Sequence, residues 1–201
     1  MRYGMVIDLK RCIGCYGCQI FCKMENATPP GMMWSRVLLN ESGKYPTVRK
    51  TPLPLLCMHC KEPVCVEVCP TGASVKREDG IVVIDHAKCL GCGSCVVACP
   101  YRARSTYDKE REYFPGQGLT PYEKVGYQKH TTGTAEKCDF CLSRLEREME
   151  PACVANCMAH ARFFGDLDDL ESEVSRLIRT RGGFQLYPEL GTDPSVYYLA
   201  P

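Results

Sequence analysis

The chain carries sixteen cysteines. They form four groups of four: Cys12, Cys15, Cys18 and Cys22; Cys57, Cys60, Cys65 and Cys69; Cys89, Cys92, Cys95 and Cys99; and Cys138, Cys141, Cys153 and Cys157. Thiolates gathered this way are soft ligands for zinc or for iron–sulfur clusters. The first and third groups have the spacing Cys-x2-Cys-x2-Cys-x3-Cys, and Pro100 follows the third. That spacing holds three corners of an iron–sulfur cube, while the fourth cysteine serves a neighbouring cluster. A disulfide framework would rarely collect its cysteines in fours and leave none over. The fourth group, taken alone, would also suit a structural zinc held by four thiolates. Its Glu150-Pro151 echoes Glu62-Pro63 of the second group, and it stands beside three cluster-type groups, so iron–sulfur chemistry is expected throughout. All sixteen cysteines are therefore expected to bind metal, as the ligands of four [4Fe-4S] clusters.

A cluster with a thiolate on every iron has no open site, so it passes single electrons and does little else. No Cys-x3-Cys-x2-Cys group leaves an iron free, and no flavin or nucleotide fingerprint is present, so no residue is expected to be catalytic. His59 lies inside Cys57-Met-His-Cys60, a group that already has its four cysteines, and is expected to hydrogen-bond nearby rather than to bind iron. His86, His130 and His160 have no spaced partner and are expected at the surface. Wrapping a backbone tightly around a cube favours unusual backbone angles, which Gly14, Gly17, Gly91 and Gly93 tolerate. The fourth cysteine of each group is expected on the first turn of a helix.

The elements that position the cysteines show an internal repeat. Val6-Ile-Asp8 through Cys22 aligns without gaps on Val83-Ile-Asp85 through Cys99, and Glu62-Pro-Val-Cys65 through Cys69 aligns on Glu150-Pro-Ala-Cys153 through Cys157. Segment 57–100 alone resembles a complete two-cluster bacterial ferredoxin. Tyr3–Asp8 and Ile81–Asp85 are apolar, β-branched runs expected as edges of small hairpin sheets. Gln19–Met24, Val96–Ala98 and Cys141–Met149 are expected to be helical. Asp168 is a credible N-cap for a last helix carrying Leu170, Val174, Leu177 and Ile178 and closed by Gly182-Gly183. Stretches 25–56 and 101–136 have few core signals, and their aromatic residues suit either a partner surface or a cap over the clusters.

Composition bounds the rest. With 201 residues the chain has room for one large or two small domains. Its formal charge is +1, and four clusters of charge about −2 each would take it to roughly −7. Lys10, Arg11, Lys23, Lys61, Lys88, Arg102, Arg104 and Lys137 lie next to the cysteine groups and are placed to offset that charge. No basic block suggests nucleic acid. No apolar run is long enough to cross a bilayer, and the N-terminus has no signal features, so the chain is expected in the cytoplasm, or in the periplasm by co-export with a signal-bearing partner.

With these groups placed, the chain resembles the four-cluster iron–sulfur subunits of the dimethyl sulfoxide reductase superfamily of molybdenum and tungsten enzymes. Within it the polysulfide or thiosulfate reductase and respiratory arsenate reductase types are most alike. The resemblance rests on Met5-Val-Ile-Asp8, Cys22-Lys-Met-Glu-Asn26, Cys69-Pro-Thr-Gly-Ala73, Cys99-Pro-Tyr101, Lys137-Cys-Asp-Phe-Cys141, Pro151-Ala-Cys153 and Phe164-Gly-Asp-Leu-Asp-Asp169, and covers nearly the whole chain. One departure is Cys157-Met-Ala-His160, where the family has Cys-Pro.

The resemblance implies an α+β, duplicated two-cluster ferredoxin-like fold with long loop insertions. Residues 1–24 and 137–167 would form an outer unit, 57–100 an inner unit, 25–56 and 101–136 insertions, and 168–201 a C-terminal helix and tail. It also implies four nested sites: Cys12, Cys15, Cys18 with Cys157; Cys138, Cys141, Cys153 with Cys22; Cys57, Cys60, Cys65 with Cys99; and Cys89, Cys92, Cys95 with Cys69. Sequential pairing of groups one with two and three with four is the alternative. A large molybdopterin-containing catalytic subunit would bind near the outer unit, and a quinone-linked membrane subunit or soluble carrier at the far end. The chain itself would be non-catalytic and would not enter the membrane. The alternative function is a free-standing polyferredoxin-like carrier.

Overall fold

A computed structural model describes residues 1–201. In chain order the elements are β1 (Tyr3–Asp8), α1 (Gly17–Asn26), β2 (Arg36–Lys44), β3 (Thr47–Leu55), α2 (Val64–Glu67), β4 (Ser74–Lys76), β5 (Val82–Ile84), α3 (Ser94–Ala98), β6 (Ser105–Tyr107), α4 (Pro121–Gly126), β7 (Thr134–Glu136), α5 (Leu142–Leu145), α6 (Ala152–Ala155), β8 (Arg162–Asp166), α7 (Glu173–Arg181) and β9 (Val196–Leu199). The fold is thus a mixture of short helices and short strands. No helix is long and apolar enough to cross a membrane.

Strand β1 is central rather than an edge. It pairs antiparallel with β8, Met5 opposite Phe164, and parallel with β9, Met5 opposite Val196. Both its faces are covered, which is why the run reads as continuously apolar instead of alternating. Met5 and Ile7 face the main core with several cysteines, whereas Val6 packs with Val174 and Leu199 beneath α7. Strand β5 pairs with β4 in a two-stranded sheet, as the apolar run before Cys89 suggests.

Helix α7 starts later than the sequence suggests. Ser172 is its N-cap, accepting the N–H of Ser175 at 3.2 Å, a cap worth about 1 kcal/mol. Asp168 lies outside the helix, its carboxylate 3.2 Å from the N-terminal amine, and Leu170 is exposed. Gly182 ends the helix in the left-handed conformation, φ 63°. Of Cys141–Met149 only Leu142–Leu145 is helical, because Glu148 turns left-handed at φ 57° and redirects the chain.

The two stretches read as loops carry structure of their own. Residues 25–56 contain the β2–β3 hairpin, in register from Arg36 opposite Leu55 to Lys44 opposite Thr47. Pro52 and Pro54 disguise it, since proline is normally confined to strand edges. In a two-stranded ribbon each strand is an edge, so these prolines are accommodated opposite Leu39 and Val37. Stretch 101–136 pairs β6 with β7 and adds α4, opened by a capping box in which Thr120 accepts from Glu123 N–H (3.2 Å) and Glu123 from Thr120 N–H (2.6 Å).

That second stretch clamps the end of α1. A helix leaves its last carbonyls without partners. Here Tyr122 donates to the carbonyl of Met24 (2.5 Å), Lys129 to that of Glu25 (3.1 Å), His130 to that of Asn26 (2.9 Å) and Tyr113 to that of Thr28 (2.8 Å). Its aromatics therefore divide between two roles: Tyr107 and Tyr127 are buried, and Tyr113 and Tyr122 form the clamp. His130, expected at the surface, has its side chain 1 % exposed and 2.8 Å from Glu136. The histidine thus pairs with Glu136 of its own stretch and reaches the Asn26 carbonyl through the fold-back.

The C-terminal tail staples distant parts of the chain. Lys61 N–H donates to the Asp193 carbonyl (2.8 Å), Glu62 N–H to that of Thr192 (3.1 Å), and Ser195 N–H to that of Met58 (2.8 Å). The next residues form β9 against β1. The loop bearing Cys57 and Cys60 is thereby tied to the sheet that leads into Cys12.

Candidate metal centres

In all four cysteine groups a helix begins one residue before the third cysteine: α1 before Cys18, α2 before Cys65, α3 before Cys95 and α6 before Cys153. The first-turn position expected for the fourth cysteine thus belongs to the third. The fourth follows four residues on: in α1 it is still helical, about 6 Å further along the axis and on nearly the same face, whereas in the other three groups it lies just past the last helical residue. Each short helix, with the residues just past it, thus offers two sulfurs to two neighbouring sites.

Cys12, Cys15, Cys18 and Cys157 line one cavity with about 400 Å³ of empty space, and Cys69, Cys89, Cys92 and Cys95 line another of about 350 Å³. Deeper in, Cys60 is crowded by Cys57, Cys65 and Cys99, while Cys22 lies among Cys138, Cys141 and Cys153. The fold thus brings the sixteen sulfurs into four sets, each combining three from one group with one from another. No three His, Cys, Asp or Glu side chains converge as they would around a single metal ion.

The backbone around these sets repeats as the sequence does. Gly14 and Gly91 match at φ 66° and 65°, and Gly93, φ 75°, is matched by Tyr16 at φ 61°. Gly17 is not in the left-handed region; the residue before it, Tyr16, takes that strain. Asp8 and Asp85, aligned in the repeat, each turn the chain into its cysteine loop. Asp8 accepts from Lys10 N–H (3.0 Å) and Asp85 from Ala87 N–H (3.0 Å).

The donor set fits iron–sulfur clusters. Burial first, and neighbouring thiolates second, push Cys60 up to about 12; burial likewise takes Cys141 to about 12, with the Cys153 and Asp139 charges adding to it. Such thiols stay protonated near neutrality unless a cation enters, and a coordinating thiol is deprotonated outright. Each fourth cysteine also accepts a nearby hydrogen bond. Asn26 Nδ2 reaches Cys22 (3.6 Å), Ser74 N–H Cys69 (3.5 Å), Ala103 N–H Cys99 (3.5 Å) and Ala161 N–H Cys157 (3.3 Å). At Cys69 burial pushes the pKa up, but the hydrogen bonds from Ser74, Thr71 and Ala73 together outweigh it and draw it down to about 7.

His59 has a structural role that its spacing does not reveal. Its Nδ1 accepts Val82 N–H at 3.0 Å, and its ring stacks on Phe140 with centroids 3.8 Å apart and planes 25° apart. His59 and Phe140 occupy the same position of their Cys-x-x-Cys loops, and both are left-handed, φ 43° and 58°. Equivalent loops of the repeat therefore meet face to face. His86 hydrogen-bonds Thr134 at 2.9 Å, and His160 is exposed.

Of the eight basic residues flanking the cysteines, only Arg104 and Lys137 are buried. Lys23 is half-buried and serves the carbonyls of Thr28, Pro29 and Met32. Arg162, which no motif in the sequence marks, is also buried, with Nη1 3.5 Å from Cys153 Sγ. Its one sequence signal is that it stands where the aligned second group has Ser74.

A family model of the 4Fe-4S dicluster domain matches residues 48–114 and again 105–167, and a model of a 4Fe-4S binding domain matches residues 9–25. The selenate reductase of Mesobacillus selenatarsenatis has a subunit that is 43% identical over 99% of this chain and 72% of its own length. The arsenate respiratory reductase iron–sulfur subunit ArrB of Shewanella sp. strain ANA-3 is 39% identical over 99% and 96%. The tetrathionate reductase of Salmonella typhimurium has a subunit that is 42% identical over 98% and 72%. With four cysteine sets suited to four [4Fe-4S] clusters, the chain belongs to the family of ferredoxin-type, electron-transferring iron–sulfur subunits of the dimethyl sulfoxide reductase superfamily.

Proposed function

We propose that this chain is the non-catalytic electron-transfer subunit of a molybdopterin oxidoreductase complex, and that each four-cysteine set holds one [4Fe-4S] cluster. Bound there, the clusters supply one-electron transfer. The observation that carries the reading is the grading of exposure along the sets. Cys15 and Cys92 are exposed, whereas Cys22, Cys138, Cys141 and Cys153 are all buried. The Cys12 and Cys92 sets are thus the two open ends of a path, and the sets of Cys22 and Cys57 its insulated middle, joined by the His59–Phe140 stack.

On this reading the fold is a duplicated α+β ferredoxin. Residues 1–24 with 137–167 form the outer unit, 57–100 the inner unit, 25–56 and 101–136 the insertions, and 168–201 the closing helix and tail. The matched caps of α2 and α6, each led by proline, support the duplication. A large pterin-containing subunit would face the Cys12 end, and a membrane-anchored or soluble carrier the Cys92 end. The named relatives serve selenate, arsenate and tetrathionate reductases. Substrate choice on this reading belongs to the catalytic partner.

Anaerobically isolated full-length chain should contain about sixteen irons and sixteen sulfides. Cys12→Ser should remove or alter the cluster at one end only and cripple turnover of the assembled complex with a dye that donates at the other end. Stoichiometric zinc, or a Cys12→Ser chain that loses the signal of the Cys92 end instead, would overturn the assignment.

A further inference from the structure

Two arginines lie buried between cysteine sets, one in each unit, and they arrive from unrelated places in the repeat. Arg162 stands on β8, 4 % exposed, with Nη1 3.5 Å from Cys153 Sγ and Nη2 3.5 Å from Ser35 Oγ. The thiolates facing it are Cys153, Cys18 and Cys157, which come from both sets of the outer unit. Arg104, also 4 % exposed, places Nη2 3.0 Å from Cys65 Sγ and Nη1 2.7 Å from Ser74 Oγ. It faces Cys65, Cys57 and Cys95, from both sets of the inner unit.

Carrying the aligned second and fourth groups on past their last cysteines puts Arg162 opposite Ser74, whereas Arg104 lies past Cys99, beyond the last aligned residue of its own group. Copying by duplication would put the two guanidinium groups at one aligned position. Instead the inner unit has a serine where the outer has its arginine, and Arg104 reaches in from beyond Cys99 to bond that serine. The location of the charge is kept while its source differs.

A guanidinium carries a fixed charge and a planar fork of donors. Hydrogen bonds to cluster sulfur are a lever on cluster potential. When a cluster takes up an electron its sulfurs become more negative, so a buried cation and its hydrogen bonds stabilise the reduced form more than the oxidised. Resting on the cluster assignment above, we propose that Arg104 and Arg162 are positioning residues that raise the reduction potentials in pairs. Arg162 acts on the two clusters of the outer unit, and Arg104 on the two of the inner unit.

The test is a redox titration, followed by paramagnetic resonance, of the full-length chain with its clusters and of its Arg104→Gln, Arg162→Gln and doubly substituted forms. Each single variant should shift two of the four reduction equilibria about tenfold toward the oxidised form, a fall of about 59 mV for one electron. The other two should stay put, the two variants should shift complementary pairs, and the double variant all four. A purely structural arginine predicts loss of iron without displaced potentials in the clusters that remain. Where glutamine prevents assembly, Arg104→Lys and Arg162→Lys carry the test. Lysine keeps the charge but cannot serve sulfur and serine at once, so the same pairs should fall by less. Unmoved potentials in fully loaded variants, or the same pair shifted by both, overturn the proposal and leave the cluster assignment intact; a native chain without iron overturns the assignment itself.

Discussion

Truncating Phe140 to alanine removes a side chain that is 1 % exposed, stacked on His59 and set edge-on to Phe164 at 5.2 Å. A phenylalanine-to-alanine change in a core costs about 3–5 kcal/mol. The backbone strain at φ 58° is common to both residues and cancels. Of that loss, the ring-on-ring contact with His59 should account for about 0.5–1.5 kcal/mol. His59→Phe keeps the stack but strips Val82 N–H of its acceptor, which should cost about 1–3 kcal/mol.

Global unfolding is a poor assay for a cluster protein, because loss of the metal breaks two-state behaviour. Native-state hydrogen exchange reads local opening instead. The reporters are Val82 N–H, bonded to His59, and Ser195 N–H, bonded to the Met58 carbonyl; amides of the β2–β3 hairpin are the control. Phe140→Ala should lower the opening free energy of both reporters and leave the hairpin unchanged. A cycle with His59→Ala should return the stack's own coupling. A fall below about 1 kcal/mol, no more than an average substitution, or a coupling of zero would refute the idea that these rings hold the two loops together.

Two further outcomes follow from single contacts. Burial works against the charge of His130, but the hydrogen bond and charge of Glu136, with the Asn26 carbonyl, raise its pKa above the usual value. Its contribution is complete below about pH 6.5, the unfolded value, and is lost as pH rises through the raised folded one. The stability advantage of the native chain over His130→Gln should therefore shrink with rising pH, and a constant difference counts against the pair. Gly91 and Gly93 are both left-handed, so alanine at either costs about 1–2 kcal/mol in backbone strain. A Cβ at Gly91 would also sit 1.8 Å from the Gly133 carbonyl, whereas one at Gly93 meets nothing within 4 Å. Gly91→Ala should lose about four irons per chain and Gly93→Ala should keep them; equal iron in the two would show that the Gly133 contact is not what demands glycine.

The cysteine spacing by itself determined the chemistry, because three thiolates can reach three corners of one cube only if the chain between them is short and set. The repeat was legible for the same reason: the aligned aspartates, glycines and prolines act within a few residues of where they stand. Strands β1 and β5 were visible as apolar runs, and Gly182 as a helix stop.

What only the tertiary structure decided depends on partners far apart in the chain. The hairpin of residues 36–55 hid behind Pro52 and Pro54, which are tolerable only because no third strand needs their missing N–H groups. His130 looked solitary until stretch 101–136 folded over α1, and Arg162 looked like one more strand residue until β8 paired with β1 and brought it 3.5 Å from Ser35. Short-range spacing is written in the order of residues, whereas burial and charge placement exist only once segments over a hundred residues apart have met.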